Sequence, residues 1–227
     1  ELEDWLSAVE MWQREIALLA PGHDAVERHH ELGATFLEKL DDPDNAETCF
    51  RQALEGDPNH LESQKALKGV YEAKGQWVEV ISMLQMVEAA ARDLPEKSEA
   101  LSEIGRVYRD ELSEAATAVE YFQQAFDLSP ENVQAASSLV DVYWEDQNFV
   151  RVEPILDSLI QNRPDADIRE LQLLNYRLAR AARALNNTEK ALFHYRQAYE
   201  LDSTHLETLR GLGELLLDHA DLEQSFK

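Results

Sequence analysis

The feature that most constrains this chain is internal repetition at a fixed interval. Trp5, Trp77 and Phe149 stand 72 residues apart, and so do Gly33 and Gly105, Phe36 and Tyr108, and Ala46 and Ala118. Phe50 and Phe122, Ala53 and Ala125, Pro58 and Pro130, and Tyr71 and Tyr143 keep the same offset. Large, small and helix-stopping residues all return in one register. One supersecondary unit is therefore reused, and each copy can bury its apolar face only against its neighbours.

Composition selects helix as the repeated element. Eight Gly and seven Pro interrupt 227 residues, and the plentiful Ala, Leu, Glu, Gln and Arg lose little rotamer freedom in a helix. No useful run of Val, Ile and Thr alternates with polar residues, as strands would require. Hydrophobic residues make up 44% of the chain, enough for a packed core. The 45 acidic against 21 basic residues give a net charge of -24. Nucleic acid and anionic membrane surfaces repel such a chain, because both bind through basic groups. The charge suits a basic partner or solubility at high concentration, or it coats the solvent faces of many helices.

Cys49 is the single cysteine, so no intramolecular disulfide exists, and it reads as a small core or boundary residue. No apolar run approaches the ~20 residues that span a bilayer. The chain starts at Glu1 and ends inside a repeat, which suggests a segment of a longer array.

Within each block the pattern splits into two helix-turn-helix units. Leu32-Gly33 with Phe36 is followed by Ala46, Phe50, Ala53 and Pro58. Ile104-Gly105 with Tyr108 is followed by Ala118, Phe122, Ala125 and Pro130. Ala191, Tyr195 and Ala198, then Leu212-Gly213 with Leu216, continue the series. These positions resemble the tetratricopeptide repeat family. Small residues let paired antiparallel helices approach, and large ones fill the space between successive pairs. The units around Tyr71 and Tyr143 depart from the pattern: Lys68 and Val140 replace the glycine, and Val80/Leu84 and Val152/Leu156 fill the second helix.

The resemblance implies an all-α fold, a right-handed superhelical α-solenoid of antiparallel helix pairs with about twelve helices. The spacing predicts a single array over 1–227. A leading second helix covers about 2–18, and pairs follow at 24–57, 60–93, 97–129, 131–163 and 165–202. An incomplete repeat occupies 205–227. The first helix of the fifth pair, roughly Asp165 to Leu185, reads as longer than its siblings by a turn or more. Ser203 stands where proline is expected, and Pro154 should delay or kink its helix. Asp41-Asp42-Pro43-Asp44-Asn45 reads as a turn and helix cap, since the spacing of a calcium loop is absent.

No phosphate-binding glycine loop, nucleophile elbow or Cys-x-x-Cys is present. His29 and His30 are adjacent and diverge by about 100° on a helix, so they do not share a metal comfortably. Paired carboxylates are too abundant to mark acid–base chemistry. The chain is expected to be no enzyme, to hold no cofactor or metal, and to bind neither nucleic acid nor the membrane interior.

In relatives the first helices line a concave groove. Register carries that role to Arg106 and Arg109, to Asp141 and Trp144, and to Tyr176, Arg180 and Arg183, with Arg177 beside them. Arg177, Arg180 and Arg183 recur every three residues, a basic strip near one helix face in an acidic chain. With Trp144 it suits carboxylates or aromatics on a partner. Equally, the arginines can pair with Asp141, Glu145 and Glu170 of the chain itself. The asparagines of the family's two-carboxylate clamp are missing: the matching positions hold His30, Ala34, Lys65, Gly69, Ser102 and Arg106.

The expected function is a non-catalytic protein-interaction scaffold that binds a protein or peptide along its groove. The alternatives are a structural spacer, a self-assembly module joined through open repeat ends, or part of an enzyme whose catalytic module lies elsewhere. The 72-residue double unit also resembles long arrays of some bacterial proteins, which implies a bacterial, cytoplasmic setting.

Overall fold

The computed structural model describes the backbone of residues 2–20, 22–163 and 166–225, and side chains over 4–20, 22–163 and 166–218. Among the described residues there are twelve α-helices and no strand. They fall into two compact units, residues 1–86 and 87–227. The first unit contains α1 (Leu2–Ile16), α2 (His23–Lys39), α3 (Pro43–Gly56), α4 (Leu61–Ala73) and most of α5 (Trp77–Ala90). The second holds α6 (Leu94–Asp110), α7 (Ala115–Leu128), α8 (Val133–Glu145), α9 (Phe149–Gln161), α10 (Ile168–Ala184), α11 (Thr188–Leu201) and α12 (Leu206–Ser225).

The double period has a simple basis in helix length. The first helices α2, α6 and α10 each run 17 residues, whereas α4 and α8 each run 13. The first helix of the fifth pair is therefore not longer than all its siblings, as expected from sequence, but equal to α2 and α6. α10 starts only at Ile168, after α9 has ended at Gln161. Asp167, whose carboxylate accepts from the Arg169 N–H at 2.7 Å, caps the helix start. Asp165, the expected start, and residues 226–227 lie outside the described residues.

Several further starts are capped in a similar manner, whereas α2, α7 and α9 have no side-chain cap bond. Asp42, Asp93 and Asn132 accept from the N–H groups of Asn45, Glu96 and Ala135 at 3.1, 2.9 and 3.0 Å. His60 and His205 do so through Nδ1, from Ser63 at 3.3 Å and Thr208 at 3.2 Å. Helix ends are less dependent on proline than the sequence suggests. Asp57, Ser129 and Asp202 close α3, α7 and α11 with nearly identical extended dihedrals, although Ser203 stands where Pro58 and Pro130 stand.

Pro154 does not delay the start of its helix, one of the two outcomes expected of it. It sits inside α9, which still starts at Phe149. Its ring removes the N–H that would bond to the carbonyl of the exposed Val150 in the first turn.

Close helix approach depends on the glycines of the strong repeats. A Cβ on Gly33 would meet the Phe50 ring at 2.7 Å, and one on Gly105 would meet Phe122 at 2.9 Å. The weaker repeats instead pack Leu139, Val140 and Tyr143 against Val152 and Leu156, all buried in the second unit. Each such side chain contributes about 1.5–3 kcal/mol by leaving water. Leu178 and Ala181 extend that core onto α10. The Tyr143 hydroxyl donates to Gln123 at 3.1 Å and accepts from Arg151 at 2.9 Å, which satisfies its polar end at the core margin.

Candidate functional site

The second unit builds one large cleft, of about 750 Å³, from the faces of α8, α10 and α12, with Phe149 of α9 and Tyr195 of α11 at its floor. α10 positions its part through amphipathicity. Leu174, Leu178, Ala181 and Ala182 are buried on one side, while Tyr176, Arg180 and Arg183 share the other at spacings of four and three. α8 brings Trp144 and Glu145 from its last turn, and α12 brings Glu207, Arg210, Gly211 and Glu214. α12 comes this close because Gly211 has no side chain: a Cβ there would lie 2.5 Å from the Tyr195 ring and hydroxyl.

Aromatic groups form the rigid part. Trp144 meets Phe149 edge-on at 5.5 Å, and Tyr176 meets His205 edge-on at 5.1 Å and Tyr195 at 6.3 Å. Burial, helped by Tyr176, pushes the Tyr195 phenol above its ordinary range, so it stays a neutral hydroxyl. The Arg180 guanidinium lies over the Trp144 ring at 5.1 Å and the Tyr176 ring at 6.0 Å.

Charge is arranged unevenly. Arg183 reaches Glu214 at 2.8 Å and Asp218 at 3.5 Å, and Arg210 reaches Glu214 at 2.9 Å. Glu214 is held below the usual carboxylate range, first by its bond from Arg183 and then by that from Arg210. Glu145 and Glu207 line the remaining rim. The result is an open, mixed-charge cleft with aromatic rings packed edge-on or tilted against one another.

Of the residues singled out in sequence, Trp144, Tyr176, Arg180 and Arg183 line the cleft together. Arg177 lies beside it, stacked on Trp144 at 5.6 Å and paired with Asp141 at 3.3 Å. Arg106 and Arg109 belong to α6 and do not line it. Arg109 is turned to the Ser138 hydroxyl at 3.0 Å and to Asp110 at 2.7 Å. Glu170, one of the acids offered to the strip, is instead bonded by Arg163.

Sequence reasoning missed the α12 contribution and Tyr195. The signal was present: Leu212-Gly213 fixes the register of α12, and one further repeat carries the groove positions to Glu207, Arg210 and Glu214. Among the described residues no group of three His, Cys, Asp or Glu side chains stands close enough for a metal ion. No described helix is long and apolar enough to cross a membrane.

Comparison with known proteins agrees with this architecture. Residues 27–60, 111–174 and 174–205 match the tetratricopeptide repeat, together more than half of the chain. Superkiller protein 3 of Schizosaccharomyces pombe is 26% identical over 129 residues, 56% of this chain and 9% of that protein. The chain thus corresponds to only a small part of that relative. Among solved structures, the C-terminal part of a TPR repeat-containing protein from Cytophaga hutchinsonii aligns with a TM-score of 0.55. It is 18% identical, over 82% of this chain and 73% of that one. MamA aligns with a TM-score of 0.50 at 20% identity, over 78% of this chain and 92% of that one. At these identities the structural likeness is one of fold. With repeat matches in both units and helix pairs closed by the Gly33–Phe50 and Gly105–Phe122 contacts, the chain belongs to the tetratricopeptide repeat family, whose repeats generally mediate protein–protein interaction.

Proposed function

We propose that this chain is a stretch of continuous repeat array that serves as a non-catalytic scaffold, and that the second unit holds a segment of a partner protein in the α8–α10–α12 cleft. The observation that carries this reading is the convergence of Trp144, Tyr176, Arg180 and Arg183 on one open cleft of about 750 Å³. Rings and guanidinium groups of this kind dominate interface energetics: the rings present large area with little freedom to lose, and the guanidinium adds directed, charge-assisted hydrogen bonds. Arg106, Arg109, Asp141 and Arg177, beside the cleft or on α6, belong to the margin of the same surface in this reading.

Affinity capture from extracts of the source cells, wild type against Trp144→Ala and Tyr176→Ala, tests it. Loss of the same protein from both variants, with circular dichroism unchanged, is the expected result. Equal recovery of every captured protein by all three would remove the cleft from consideration.

A second reading, self-association, is favoured by α12. Leu209, Leu216 and Leu217 are 41, 43 and 68% exposed, and a Cβ on Gly213 would meet nothing within 4 Å. Light scattering across a concentration series separates the two: a constant mass leaves only the scaffold.

A further inference from the structure

We propose that the segment held in the cleft presents a carboxylate side chain to Arg180, with basic residues beside it. This rests on the cleft reading above and specifies its partner.

Arg180 is the exception among the arginines gathered here. Arg177 has Asp141, Arg183 has Glu214 and Asp218, and Arg210 has Glu214. Among the described residues Arg180 has no ion-pair partner, although the chain carries 45 acidic residues against 21 basic ones and three glutamates line the same cleft. A guanidinium left without an internal acid in so acidic a chain is available to an external one.

Its geometry favours a carboxylate. Its guanidinium lies over Trp144 and Tyr176 and is exposed, and among the described residues it makes no hydrogen bond or ion pair, so its N–H groups are free to donate. A guanidinium presents its N–H groups as a fork that matches two carboxylate oxygens. Because the rings already hold the group, binding costs little rotamer freedom.

The surroundings set the flanking chemistry. Glu145 and Glu207 face the same space, and the net charge of -24 repels a run of acids. One carboxylate between basic neighbours satisfies both Arg180 and the glutamates, and the neighbours give the encounter its attraction.

A random peptide display library selected on the immobilised protein supplies the probe. Enriched peptides should contain one Asp or Glu flanked by Lys or Arg. In the tightest of them, replacing that acid by its amide should weaken Kd roughly ten- to a hundredfold. Arg180→Gln should cost about as much, the two changes together should cost little more, and Arg180→Lys should recover only part. Arg180 is exposed, so the melting curves of these variants should superimpose on the wild type. Peptides that lose binding to Trp144→Ala yet show no acid preference and tolerate Arg180→Gln would overturn the proposal while leaving the cleft as the site. Peptides indifferent to Trp144→Ala, Tyr176→Ala and Arg180→Gln alike, or a selection that enriches nothing, would remove both.

Discussion

A methyl group placed on Gly105 would stand 2.9 Å from two carbons of the Phe122 ring and 3.2 Å from the Ala118 carbonyl oxygen. Phe122 is fully buried, so the ring has no room to retreat. Gly105→Ala is therefore expected to destabilise by about 1–3 kcal/mol through overpacking, in spite of the better helix propensity of alanine. Gly69 and Gly213 offer the contrast, since a Cβ on either meets nothing within 4 Å. Gly69→Ala and Gly213→Ala should stabilise by roughly 0.5–1 kcal/mol. Urea melts of the three variants would show midpoint shifts of opposite sign, and a shared sign would refute the packing account.

The arginines should separate by thermodynamic role. Arg183 and Glu214 are each between a third and a half exposed, so solvent screens their bond. Arg183→Ala should cost about 0.2–1 kcal/mol, less at high salt. Arg180→Ala, with no acid to lose, should stay within about 0.5 kcal/mol of wild type. A large loss from Arg180→Ala would mean that its stacking on Trp144 holds the fold.

The same contrast shows what sequence could and could not reveal. The spacing of Gly33, Phe50, Gly105 and Phe122 identified helix pairs because sterics admit one arrangement of a small residue against a buried ring. The face shared by Tyr176, Arg180 and Arg183 was equally legible from helical geometry. Which arginine finds an internal acid was not. Arg177 and Asp141 lie 36 positions apart, and Arg109 turns to Ser138, 29 positions away. Such pairings depend on rotamers and neighbouring helices, so Arg180 could not be singled out before the structure was known. The start of α9 was harder to place for a related reason. Local propensity at Pro154 argued for a late start or a kink, and the helix starts at Phe149 with Val152, Ile155 and Leu156 buried.

Burial holds His29, His30 and His194 below the ordinary imidazole value of 6.5, with a further lowering of His30 by His60. His29 Nδ1 has no hydrogen-bond partner, in keeping with a neutral ring. With folded values depressed, the unfolded chain takes up these protons first. Stability is complete above about pH 6.5 and is lost as pH falls from there through each depressed value. The thermal midpoint should drop between pH 7.5 and 5.5, and His194→Gln should flatten part of that slope. A flat profile over this window would show that the rings titrate alike in both states.

Cys49 is buried on α3, and that burial pushes its thiol up to about 11. The thiolate is the reactive form, so alkylation at neutral pH requires opening of the helix pair. Native protein should react with iodoacetamide far more slowly than protein in denaturant. Comparable rates would place Cys49 at the surface.

Pro154 supplies the most direct probe of the weaker repeats. It occupies the sixth position of α9, where its ring replaces an N–H that would bond to the Val150 carbonyl. The residue is exposed, so its removal opens no cavity. The flanking Val152, Ile155 and Leu156 are buried and already fix the helix. Pro154→Ala should therefore keep the same packing and add one backbone bond with a better helix former. An interior proline costs about 3 kcal/mol relative to alanine, and less near a helix start, where fewer bonds are at stake. A gain of about 1–2 kcal/mol is expected, with hydrogen-exchange protection rising over residues 149–161. Destabilisation instead would mean that the core around Leu156 is shaped to a bend that proline imposes.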